Sequence, residues 1–152
     1  MRILVHQLGS FGRTQLPKNA LVKSVAQSVL IHNRIKRKGE LNIIFVDNKI
    51  IKRLHRAYLM NNTVTDVLAF PYHGAVPKKD LPPFGDIFIS IPVAEMNARR
   101  YRQPVSLEIL RLVIHGLLHL LGYRDDKHRL KKRMWSTQED LLKKICSTTK
   151  IS

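Results

Sequence analysis

At 152 residues, 44% of them hydrophobic, the chain suits one globular domain with one main core and is not globally disordered, and no apolar run in it is long enough to cross a bilayer. Its 27 Lys and Arg against 11 Asp and Glu give +16 with His neutral, the balance of a protein that attracts polyanions: RNA or DNA first, an anionic membrane face second. The single cysteine, Cys146, excludes an internal disulfide and fits a reducing, cytosolic setting.

The opening MRILVHQLGS has a short apolar patch but no long hydrophobic core and no small-residue cleavage site, so it does not read as a secretory signal. Residues 2–8 read as a strand, followed by a turn around Gly9, Ser10 and Gly12. From residue 16 to about 37, Leu21, Val25, Val29 and Ile35 recur near helical spacing, with Pro17 at the start and Gly39 as a stop after a basic segment. LNIIFV, 41–46, is a strand by its branched and aromatic content. Asp47 or Asn48 caps a short helix bearing Ile50, Ile51, Leu54, Tyr58 and Leu59. VTDVLAFP is a short strand ended by Pro71, and PYHGAVPKKDLPPFG, 71–85, is a long loop with a functional or mobile role. DIFISI, 86–91, is the next strand.

The helix over 107–121 carries Leu107, Leu110, Ile114, Leu118 and Leu121 on one stripe, with Leu112, Val113 and Leu117 widening it. Such breadth predicts burial on more than one side, with Ser106 as cap and Gly122 as terminator. A last helix covers about 127–145, with Trp135 in the core and residues 147–152 frayed. No repeat or linker divides the chain, so residues 1–146 form a single domain. The order of elements predicts an α+β fold, a small mixed β-sheet packed with helices.

Within that apolar helix sit His115 and His119, four residues apart and therefore on one face. Two imidazoles buried there without partners would be unfavourable, and together they can ligate one transition metal, zinc foremost. Gly122 lets the chain turn back to supply a third ligand from Asp125, Asp126 or His128. The pattern is like that of the helix of zinc metalloproteases, H-E-x-x-H, but Gly116 stands where their general-base Glu belongs, which disfavours peptide hydrolysis.

The run His115-Gly-Leu-Leu-His119-Leu-Leu-Gly122-Tyr123 resembles the signature H-G-x-L-H-L-x-G-Y-D-H of the YbeY family, bacterial metal-using endoribonucleases of rRNA maturation. TDVLAFP, 65–71, and FGDIFIS, 84–90, resemble two further family segments, in the family's order and spacing. The resemblance implies a cytoplasmic, zinc-dependent endoribonuclease cutting single-stranded regions of rRNA precursors, with the ribosome or its proteins as partners. It departs at Arg124 and Asp125, which stand in the places of the family's Asp and third His, and at His55 and Leu59, in the places of an Asn and an Arg. His115, His119 and Asp125 are then the catalytic and metal-binding set, with His128 as rival third ligand; a carboxylate is a legitimate zinc donor. Thr65, Asp66 and Asp86 are expected to shape the cleft or hold a ligand histidine in place. Arg124, Lys127, Arg129, Lys131, Lys132 and Arg133 offer a basic path for RNA. The competing reading is a non-catalytic RNA-binding or ribosome-assembly factor with a structural metal.

Overall fold

The computed structural model describes residues 1–36, 38–59, 65–71 and 84–149. In chain order these form β1 (Arg2–Leu8), α1 (Asn19–His32), β2 (Glu40–Val46), α2 (Asn48–Leu59), β3 (Val67–Pro71), β4 (Gly85–Ser90), α3 (Ile91–Arg100), α4 (Val105–Leu120) and α5 (His128–Thr148). The sheet has the order β1-β2-β4-β3, with β1, β2 and β4 parallel and β3 antiparallel to β4. This is the expected α+β fold with a small mixed sheet. The proline-rich loop read over 71–85 falls almost wholly outside the described residues.

Side-chain alternation divides the sheet into two faces. On β2, Leu41, Ile43 and Phe45 join Ile87 and Ile89 of β4 in the main core beneath α1, α4 and α5. The intervening Ile44 and Val46 meet Ile51, Leu54, Leu68, Phe70 and Phe88 in a smaller cluster that includes α2. A strand apolar on both sides suits the parallel pairing of β2 between β1 and β4.

Several boundaries differ from the sequence reading. α1 ends at His32, not near residue 37, because Arg34 adopts a left-handed φ of 55° and Ile35 N–H turns back to Leu30 C=O. α3 is an element that the sequence reading did not assign. Ser90 caps it by accepting from Val93 N–H, and Pro92 lies in its first turn. α4 begins at Val105 after Pro104, so Ser106 is inside the helix and is not its cap. α5 runs through Thr148, three residues beyond the expected end; 150–152 lie outside the described residues. Trp135, expected in the core, is exposed. It lies among polar neighbours on the first half of α5, while Met134, Gln138, Leu141, Leu142 and Ile145 form the buried stripe.

α4 is held close to the sheet by Gly116. A Cβ there would stand 2.6 Å from Ile87 Cγ2 and 2.9 Å from Val67 Cγ2, inside contact distance. The position that carries the Glu in metalloproteases is therefore closed here by packing. Among the described residues no helix is long and apolar enough to cross a membrane.

Candidate metal centre

α4 ends through Gly122, whose φ of 94° suits a residue without Cβ. Gly122 N–H donates to His119 C=O and Tyr123 N–H to Leu118 C=O, each at 3.0 Å. This paired C-cap reverses the chain over the helix end and carries Asp125 back to the histidines. Tyr123 is anchored from its other end, where its hydroxyl donates to Asn33 Oδ1 at 3.2 Å. Tyr123 thus fixes the turn.

The Nε2 atoms of His115 and His119 converge to 3.0 Å. Asp125 Oδ2 lies 3.4 Å from His119 Nε2 and 3.9 Å from His115 Nε2. Among the described residues, these three are the group whose donor atoms can gather on one ion, all lying within 4.8 Å of one another. His128 is not in that group; it is the exposed first residue of α5. Asp126 is drawn away into an ion pair with Arg124.

The outer nitrogens decide the tautomers. His115 Nδ1 is 2.7 Å from Gln138 Oε1, and the Gln138 amide donates through Nε2 to Glu139 Oε1 at 3.2 Å, which fixes its oxygen toward the ring. His119 Nδ1 lies 3.2 Å from Tyr123 C=O, a pure acceptor. Both Nδ1 atoms are therefore the protonated ones in the neutral rings, and both Nε2 lone pairs face a common point. Two such lone pairs repel at 3.0 Å unless a cation lies between them. Ligands on tetrahedral zinc stand roughly 3.3 Å apart for bonds of ~2.0–2.1 Å, so the donor set fits the ion. Burial, with the neighbouring His119, pushes the His115 imidazole below its usual pKa; the Gln138 hydrogen bond, Asp66 and Asp125 oppose that shift. A neutral ring is the ligand form.

Gln138 is 2% exposed and had no place in the sequence reading. Neither had Arg111, although the i, i+4 spacing from Arg111 to His115 places both on one face of α4. Arg111 donates to Glu139 Oε1 at 2.8 Å, Glu108 Oε2 at 2.6 Å and Gln103 Oε1 at 2.7 Å. Burial works against its charge, but the hydrogen bonds and charges of Glu139 and Glu108 hold its pKa above the usual value. Arg111 thereby fixes Glu139, which fixes Gln138, which orients His115. These residues, with Asp66, Asn97, Tyr101, Leu112 and Trp135, line a cavity of about 440 Å³ beside the histidines.

The remaining expected residues scatter. Asp66 lines that cavity, and its C=O accepts from Ser90 N–H at 2.9 Å. Thr65 is half-buried just before β3. Asp86 is not a neighbour of the His pair. It accepts from Asn42 Nδ2 at 3.0 Å and shares the side of β4 with Phe88, the face away from α4. Arg124, Lys127, Arg129, Lys131, Lys132 and Arg133 are all exposed; Arg124 and Arg133 line a small hollow with Gly122 and Tyr123 beside the turn.

Fold and site define a class: a small α+β domain whose apolar helix presents two histidines and a returning carboxylate to one point in a cleft. The family model for endoribonuclease YbeY matches residues 12–146. An endoribonuclease YbeY of Persephonella marina is 34% identical over 147 residues, covering 96% of this chain and 94% of its own. Another, of Phytoplasma australiense, is 32% identical over 147 residues and 95% of this chain. The solution structure of TM1509 from Thermotoga maritima superposes with a TM-score of 0.62 at 25% identity, covering 96% of this chain and 90% of that one. The chain belongs to the endoribonuclease YbeY family.

Proposed function

We propose that this protein is a cytoplasmic, zinc-dependent endoribonuclease that cleaves single-stranded RNA in rRNA maturation and ribosome quality control. The observation that carries the reading is the convergence of two Nε2 lone pairs and Asp125 Oδ2, each imidazole oriented from behind by a protein acceptor. His115, His119 and Asp125 would hold the ion, which supplies Lewis acidity and charge neutralisation at a phosphodiester. Asp66 lines the adjoining cavity and forms no salt bridge among the described residues, whereas Glu139 is held by Arg111. Asp66 is therefore the carboxylate suited to take the proton of the attacking oxygen. Exposed Lys127, Arg129, Lys131, Lys132 and Arg133 on and before α5 neutralise the flanking phosphates.

Among the described residues three protein donors gather, which supports a catalytic over a structural ion, because a structural zinc takes four. The test is cleavage of a single-stranded oligoribonucleotide by wild type, the chelator-treated protein and His119→Ala. Loss of cleavage in both treated samples, with zinc restoring only the chelated one, is expected. RNA binding without cleavage in zinc-loaded wild type would instead favour an assembly factor with a structural metal.

A further inference from the structure

Two large aromatic side chains stand out on the surface: Tyr101 and Trp135 are each 58% exposed. They come from different elements, the C-cap of α3 and the first half of α5, yet both line the cavity that contains His115 and Asp66. Tyr58, also exposed, packs against Phe70 with ring centroids 5.2 Å apart and lies outside the cavity, whereas Tyr101 lines it with the Arg100 guanidinium 5.9 Å from its ring centroid. Arg102, with a left-handed φ of 52°, lies between Tyr101 and Gln103, both of which line the cavity. Gln103 N–H reaching Ala98 C=O at 2.9 Å secures that turn. Arg102 ends α3 as Arg34 ends α1, and the reversal sets Tyr101 and Gln103 at the cavity.

The cavity floor is polar and prearranged. Gln103 uses its Oε1 on Arg111, and Asn97 its Nδ2 on Glu108. The other end of each amide, the Gln103 NH2 and the Asn97 oxygen, makes no hydrogen bond among the described residues. One donor and one acceptor are what the edge of a nucleobase requires. Arg111 is engaged by two carboxylates, so the cavity is not a phosphate pocket. A flat, uncharged, hydrogen-bonding ring matches it better than an anion does, and about 440 Å³ admits one.

We infer that the cavity formed by Tyr101, Trp135, Asn97 and Gln103 is a nucleobase subsite, taking one unstacked base of an RNA strand next to the phosphate at His115. The inference rests on the RNA-cleaving reading above and deepens it. A base can enter only if it is not stacked in a duplex, so the subsite is a physical source of preference for single strands.

Trp135 is the chain's one tryptophan, so its fluorescence reports on this cavity without interference. The zinc-loaded protein is titrated with a labelled single-stranded oligoribonucleotide, with an abasic strand of equal charge and with an RNA duplex. Label anisotropy reads binding, and Trp emission reads stacking. The single strand is expected to quench Trp135, and the abasic strand to bind without quenching. Stacking is worth enough for Trp135→Ala to weaken single-strand binding about 5- to 150-fold. Trp135→Phe should retain most of the affinity, and abasic binding should be unmoved by either change. Binding of the single strand without quenching overturns the subsite but leaves the enzyme reading standing. No binding of any strand overturns both.

Discussion

Gln138→Leu removes one buried amide and puts a branched apolar side chain, larger by about one methylene group, in its place. The wild-type residue joins His115 Nδ1 at 2.7 Å to Glu139 Oε1 at 3.2 Å. Its loss strands a ring N–H, which costs about 1–3 kcal/mol when the group is fully enclosed. The His115 side chain is 24% exposed, so water rescues part of that and the low end applies. About 1 kcal/mol lowers Tm by roughly 2–4 °C in a chain of this size. The effect on the metal is larger, because loss of a ligand's orienting partner reduces affinity by about 10- to 100-fold, or about 1.4–2.8 kcal/mol. Gln138→Glu keeps an acceptor against Nδ1 but loses the donor to Glu139 and sets a second carboxylate beside it, so it should hold zinc less well than wild type and better than the Leu variant. Competition against a chromophoric zinc chelator measures all three proteins, with thermal unfolding of the metal-free forms as control. Unchanged zinc affinity in the Leu variant would refute the chain of orientation from Arg111 to His115. Equal loss in both variants would assign the effect to packing.

Asp125→Ala should abolish stoichiometric zinc, Asp125→His should retain it, and His128→Ala should be indistinguishable from wild type, all by elemental analysis of purified protein. Gly116→Ala sets a gain of about 1 kcal/mol in helix propensity against about 1–3 kcal/mol of overpacking. Ile87 is fully buried and cannot yield, so denaturant titration should show a net loss, and a stability gain would contradict the close helix–sheet contact. Burial raises the Cys146 thiol pKa, opposed by the Arg111 charge, so less thiolate exists at pH 8 than for a free cysteine. A chromogenic thiol reagent should label the native chain more slowly than the unfolded one, with the rate still rising above pH 9; equal rates would count against that burial.

The periodicity of α4 and its glycine stop were legible because a helix buried on many sides writes its pattern in the sequence. The His pair was legible for the same reason: four residues on a helix is a distance. The turn at Gly122 narrowed the third donor to Asp125, Asp126 or His128, and the family resemblance singled out Asp125. What was not legible depends on chain reversals with no glycine to announce them. Arg34 and Arg102 take the left-handed position instead, which hid the true end of α1 and the cap of α3. Ser90 with Pro92 did carry a signal for α3, but Ser90 fell inside the segment read as strand, 86–91, and Pro92 just beyond it. Gln138 and Arg111 could not be ranked from sequence, since their importance arises from contacts with distant residues. Asp86 was misplaced by ignoring strand parity, since its neighbour Ile87 faces α4 and Asp86 faces away.

The three donors of the proposed metal centre all fall between residues 115 and 125. Closing so short a loop around an ion costs little chain entropy, even in a chain that has lost its tertiary structure. Such a peptide keeps some grip on zinc when the sheet has come apart, whereas the grip of Gln138 on His115 vanishes with it. Zinc should therefore raise the melting temperature by less than its affinity for the folded protein implies, since ligand held by the unfolded ensemble subtracts from the stabilisation. The shortfall would measure how much of the site belongs to one segment of chain and how much to the fold.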